Sequence, residues 1–103
     1  LAVEWGASGV RVNAIAPSQV DSPTMREWMA EPGPDGRTIG DTFLGGVPLG
    51  RLVRAEDLVG PALFLASDAS SMVSGTVLPV DGGNLTANIA GTIGSPVSAP
   101  AGE

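Results

Sequence analysis

The 103-residue sequence contains no cysteine, no histidine, no lysine and no tyrosine. Without cysteine there is no disulfide framework and no thiolate chemistry, and the redox compartment stays open. Without histidine, carboxylates are the remaining side-chain metal ligands, and they are too dispersed along the chain to define a site. Five arginines stand against eleven carboxylates, for a formal charge of −6. So few scattered cations assemble no basic stripe, which argues against a nucleic-acid partner. No apolar run approaches the ~18–20 residues of a membrane span, so no membrane partner is expected. The amino end has no basic leader and resembles no signal peptide, and the expected compartment is the cytoplasm. Charged residues reach only 16%, below the usual ~25%, which implies a surface partly meant to be covered.

What is present fits one globular domain at most: hydrophobic residues make up 43% of the chain. The organising stretch runs from Gly9 to Pro23. Val10, Val12, Ala14 and Ala16 fall on one side of a pleat, with Arg11, Asn13 and Ile15 on the other, predicting a strand over 10–16. Pro17 closes that strand, Ser22 can cap a following helix, and Pro23 suits its first position. In open parallel sheets, ligands bind where strand ends meet helix starts. Residues 1–7 read as a helix tail, with Gly6 or Gly9 as the left-handed exit.

Met25, Trp28 and Met29 form an i, i+3, i+4 stripe on a short helix. Helical spacing fits core or interface packing, and proximity to the strand exit fits a soft lid over an apolar substrate. Glu31 to Gly36 is a loop by composition, and a second short helix is expected over 38–44. The excursion over 22–50 reads as having little rigid structure, as an active-site lid or a mobile surface insertion. A stronger helix is predicted over 56–66, bent at Pro61 unless it begins later. A strand over 76–80 follows, and Pro79 marks it as an edge. Strand, excursion, helix, strand makes two parallel strands joined by a right-handed crossover, an α/β arrangement. Beyond Asn84 the chain is mostly small and polar, predicting an ordered closing turn to about residue 90 and a flexible tail after it.

Two sets of residues resemble one family. Val10-Arg11-Val12-Asn13-Ala14-Ile15-Ala16-Pro17, then Val20 and Ser22-Pro23, are similar to the strand and cofactor loop after the catalytic helix of short-chain dehydrogenases/reductases. Phe64-Leu65-Ala66-Ser67-Asp68-Ala69-Ser70-Ser71, Gly75 and Val80-Asp81-Gly82-Gly83 resemble the last helix and strand of that family, in matching order and spacing. The resemblance covers residues 1–84 and implies the carboxy-terminal part of a doubly wound, Rossmann-like parallel sheet, with 22–50 as its substrate lid and 85–103 as closing turn and tail. The implied activity is hydride transfer between NAD or NADP and a small-molecule carbonyl or alcohol. The family's catalytic Ser, Tyr and Lys and its Gly-rich loop would lie upstream. With no Tyr and no Lys, this chain cannot rebuild that catalytic group, and the fragment alone is expected to be inactive.

By the same resemblance, Pro17 and Ser18 match the turn beneath the nicotinamide. Val20 matches the residue whose backbone bonds the carboxamide, and Ser22 matches a hydroxyl facing the cofactor, although it reads equally as a helix cap. Ser18 replaces the usual Gly, so a positive φ there would be strained. Met25, Trp28 and Met29 match the variable lid. Arg11 and Asn13 read as structural, and Asp81 as the residue fixing the final turn. The last helix and strand often form subunit interfaces in relatives, which implies a homo-oligomer. The competing expectations are a non-catalytic oligomerisation or binding module, and an inactive truncated product.

Overall fold

The structure, a computed structural model, describes residues 1–88. Its elements follow in the order α1 (Ala2–Trp5), β1 (Ala14–Pro17), α2 (Pro23–Met29), α3 (Ile39–Leu44), α4 (Val59–Ala66), β2 (Val77–Val80) and α5 (Asn84–Asn88). β1 and β2 pair in parallel, with Ala14 opposite Val77 and Pro17 opposite Val80. The expected crossover is therefore present, with α2 to α4 in the connection. The sheet and its flanking helices are part of a Rossmann-like doubly wound domain.

The first strand is shorter than the predicted 10–16. Val10 still belongs to the helix exit, where its amide donates to the Trp5 carbonyl (3.3 Å) and Gly9 takes φ +78°. Between Val10 and Ala14, side chains stand in for part of the ladder. Asn13 Oδ1 accepts from the Thr76 amide (3.0 Å), its Nδ2 donates to the Val73 carbonyl (2.9 Å), and the Val12 amide donates to Ser74 Oγ (3.2 Å). Alternation of main-chain bonds limited the prediction here, because it cannot register a side chain bonding across two segments. Just before β2, the Thr76 carbonyl accepts from the Ala14 amide. Two-residue alternation then turns the Pro79 nitrogen away from β1, so its missing donor costs this pair nothing.

Helix α4 begins later than 56, which is the alternative the sequence offered to a bend at Pro61. A 3₁₀ turn over Ala55–Leu58 precedes it, which leaves Pro61 in the first turn, where amides have no intrahelical partner. Arg11 then ties the helix end to β1. Its guanidinium donates to the carbonyls of Leu65 (2.9 Å), Ser67 (3.2 Å) and Val73 (3.2 Å) and to Ser70 Oγ (2.8 Å). A cation on the last carbonyls of a helix complements its dipole. Ser70 is buried to 1% exposure beneath this contact.

The excursion over 22–50 holds the two short helices expected of it. Ser22 Oγ caps α2 through the Met25 amide (3.1 Å), and Thr38 Oγ1 caps α3 through the Asp41 amide (3.1 Å). Between them Pro32 and Thr38 bridge antiparallel, with Gly33 N donating to Arg37 O (2.6 Å) and Ile39 N to Glu31 O (2.9 Å). The helices pack closely at Gly40, where a Cβ would lie 2.9 Å from the Met29 carbonyl oxygen. Composition marked the turn, but not the long-range bonds that close it.

Among the described residues, the buried apolar ones are Met29, Val47 and Val53, all in or beside this excursion. The apolar face of α4 is uncovered instead, with Val59, Leu63 and Phe64 exposed, as is Val77 on β2. Among the described residues, no helix is long and apolar enough to cross a membrane, and no cluster of ligating side chains could hold a metal. The expected closing turn contains α5, and the expected tail lies outside the described residues.

Candidate functional site

Beyond β1 the chain runs as a second, very short parallel partner to the segment before α4. Val20 stands opposite Val53. The Val53 amide donates to the Gln19 carbonyl (3.0 Å), and the Asp21 amide donates to the Val53 carbonyl (2.7 Å). In a parallel pairing, this pattern spends the groups of Gln19 and Asp21 and turns those of Val20 to the other side. The Val20 N–H and C=O accordingly have no partner among the described residues. One donor and one acceptor, fixed by a hydrogen bond on either side of Val20, form a preset binding edge.

Ser22 continues that edge. Its Oγ accepts from Met25, which leaves the hydroxyl proton to donate. The cap and ligand roles are thus compatible. Pro17 and Ser18 lie at the strand end, lining a groove of about 400 Å³ with Ala16, Val77, Pro79 and Asp81. Among the described residues none other than glycine has positive φ, so Ser18 sits here without backbone strain. Asp81 fixes the neighbouring turn: its carboxylate accepts from the amides of Gly83 (3.0 Å) and Leu85 (3.0 Å).

The groove wall and the excursion are also joined. Leu49 N donates to the Gly82 carbonyl (3.0 Å), and a Cβ on Gly82 would lie 2.9 Å from Val47 Cγ1. With the Val20–Val53 bridge, this contact secures both ends of the excursion. Of the three stripe residues, Met29 is buried between α2 and α3, Met25 is half-buried and Trp28 is exposed. Packing therefore accounts for Met29, and it leaves Met25 and Trp28 to face other chemistry.

Three ion pairs surround this region. Arg26 clasps Asp21 through Nε (2.6 Å) and Nη2 (3.0 Å), and Arg51 clasps Asp57 through Nη1 (2.7 Å) and Nη2 (2.9 Å). Arg37 pairs with Asp35 at 3.1 Å. The Arg26 hydrogen bonds hold Asp21 below the usual carboxylate range, and Arg51 with the Arg54 amide does the same more strongly for Asp57. Neither pair was foreseen. The spacings Asp21–Arg26 and Arg51–Asp57 belong to neither a helix face nor a strand, so periodicity carries no signal for them.

Comparison with known proteins adds the family context. The family model described as enoyl-(acyl carrier protein) reductase matches residues 1–84. An uncharacterized oxidoreductase of Mycobacterium tuberculosis is 46% identical over 83 residues, covering 81% of this chain and 30% of the relative. The 4-formylbenzenesulfonate dehydrogenase of Comamonas testosteroni is 43% identical over 84 residues, covering 81% of this chain and 32% of the relative. Among solved structures, a putative NAD(P)-dependent gluconate 5-dehydrogenase from Beutenbergia cavernae with bound NADP is 46% identical. It superposes with a TM-score of 0.71 over 84% of this chain and 32% of that one. The chain thus spans about a third of the length of the proteins it matches.

Proposed function

Because the chain belongs to the short-chain dehydrogenase/reductase family, we propose that it forms the cofactor-orienting and lid-bearing portion of an NAD- or NADP-dependent oxidoreductase. The observation that carries this reading is the unspent backbone of Val20, flanked by the spent groups of Gln19 and Asp21. A planar carboxamide offers N–H donors and a carbonyl acceptor side by side, and this edge complements one of each. Ser22 adds a hydroxyl donor at the same edge, while Pro17 and Ser18 supply the floor of the strand exit.

When bound, a nicotinamide would give or take the hydride of a small-molecule carbonyl or alcohol. The residues here orient it and move no proton themselves. Catalytic acid–base groups would come from the preceding part of a complete enzyme. That enzyme is a cytoplasmic homo-oligomer in this reading, with the uncovered α4 and β2 face as a contact. Met25 and Trp28 bear on the substrate.

The test replaces the matching carboxy-terminal third of the Comamonas enzyme with residues 1–84. Coenzyme-dependent turnover of an uncharged aldehyde such as 4-methylbenzaldehyde is expected in the chimera. Ser22→Ala in that chimera should raise the coenzyme KM about 3- to 10-fold with a smaller change in kcat, as removal of one binding hydrogen bond does. A chimera that melts cooperatively yet binds neither coenzyme overturns the reading.

A further inference from the structure

The lid base carries a pair whose arrangement bears on substrate choice. Arg26 lies on α2, one turn beyond the Ser22 cap, at the end of the lid nearest the proposed cofactor edge. A guanidinium in that position is the natural partner for a substrate carboxylate or sulfonate. It is already taken. Asp21, held in place by its own amide on Val53, accepts both Nε and Nη2 of Arg26 in a bidentate clasp.

Two other cations of this stretch are paired as well, Arg37 with Asp35 and Arg51 with Asp57. Arg54 adds its charge to the field at Asp21 and Asp57. Over residues 21–57, four arginines meet seven carboxylates, which leaves the region acidic and repels an anionic ligand. What the lid helix leaves available is apolar: the half-buried Met25 and the exposed indole of Trp28 on the same stripe.

We propose that Asp21 is a specificity-determining residue that neutralises Arg26, so that the lid admits an uncharged carbonyl or alcohol with an apolar body and rejects one bearing a carboxylate or sulfonate. The inference rests on the oxidoreductase reading above and sharpens it to a substrate class. It also separates this chain from the Comamonas relative, which is named for a sulfonated aldehyde.

The experiment uses the complete enzyme containing this chain and two matched pairs of carbonyl compounds. The pairs are 4-methylbenzaldehyde with 4-formylbenzoate, and 4-methylcyclohexanone with 4-oxocyclohexanecarboxylate. In each reaction the reduced coenzyme gives its hydride to the carbonyl carbon, the oxygen takes a proton, and the oxidised coenzyme and an alcohol result. The readout is the ratio of kcat/KM for the neutral compound to that for its carboxylate partner, which cancels general losses of folding or activity.

The ratio should favour the neutral member in the unaltered enzyme. Asp21→Asn frees Arg26 and should shift the ratio toward the carboxylate by about fivefold or more, the scale of a released charge pair. Adding Arg26→Gln to that variant should restore the original preference, which a merely structural role for Asp21 would not do. A preference for the carboxylate in the unaltered enzyme, or an Asp21→Asn ratio that does not move, overturns the proposal while leaving the oxidoreductase reading intact. Absence of turnover with all four compounds and both coenzymes, in a folded enzyme, removes both.

Discussion

The excursion between the strands and the α4–β2 unit invert the usual relation between connection and core. The excursion would ordinarily be the exposed, loosely held part, yet it contains or adjoins Met29, Val47 and Val53, the buried apolar residues among those described. Its helices are capped by Ser22 and Thr38, and its ends are secured at Val53 and Gly82. The α4–β2 unit has regular hydrogen bonding and an apolar sequence, yet Leu63 is 64% and Val77 63% exposed. Hydrogen bonds can be satisfied locally, whereas an apolar face needs a second layer. The difference marks which part of the chain carries its own structure and which part waits for a neighbour.

The largest expected effect follows directly. Expressed alone, the 103-residue chain should lack a sharp thermal transition as a monomer and should self-associate as concentration rises, because its broadest apolar face is uncovered. In hydrogen exchange, the amides of Asp21, Gly33 and Val53 should outlast those of Leu63 to Ala66. Sedimentation and exchange measurements test both halves. A monodisperse monomer with its slowest amides in α4 and β2 would reverse the comparison.

A smaller effect is expected where α4 is held by polar contacts in place of packing. Arg11→Ala in the complete enzyme removes donors from three carbonyls and from the buried Ser70 hydroxyl. The cost should be about 2–4 kcal/mol, since these acceptors lose charged donors and Ser70 lies too deep for water to replace one easily. Denaturant midpoints measure it. Arg11→Lys should recover only part, because an ammonium lacks the planar fork that reaches two sets of acceptors. A loss under ~0.5 kcal/mol would mean that packing from elsewhere holds the helix end.

Much of this architecture was legible in local chemistry. Ser22 before Pro23 announced α2, Gly9 announced the exit from α1, and the two apolar segments announced parallel strands. Asp81-Gly82-Gly83 announced the final turn, whose glycines take φ of +62° and +89°. What escaped notice joins distant residues. The Val20–Val53 bridge, the Arg11 tie and the Leu49–Gly82 contact each depend on how the completed crossover brings segments together. At the candidate site, Val20 and Ser22 were proposed through family resemblance. The geometric reason for Val20, a backbone left unspent by its bridge, could not be seen before the bridge itself. The same bridge reveals Asp21 as more than a residue between two others.

The smallest expected effect concerns the seam between the two regions, where Arg51 at the end of the excursion clasps Asp57 at the approach to α4. Asp57 also accepts from the Arg54 amide (2.8 Å), and both contacts hold its carboxyl well below its ordinary range. A carboxylate whose folded pKa is depressed stabilises the fold at pH values above its unfolded pKa, near ~3.9, and loses that contribution as pH falls toward its folded value. Asp57→Asn in the complete enzyme should therefore lower Tm slightly at pH 7, and the gap to the unaltered enzyme should close progressively as the pH is taken below about 4. Exposure and salt keep the effect modest, and added salt should shrink it further at neutral pH. Melting curves across pH at two ionic strengths measure it. A gap that stays constant or widens on acidification would show that the Asp57 carboxylate contributes through shape alone, and the two regions would then meet without an electrostatic tie.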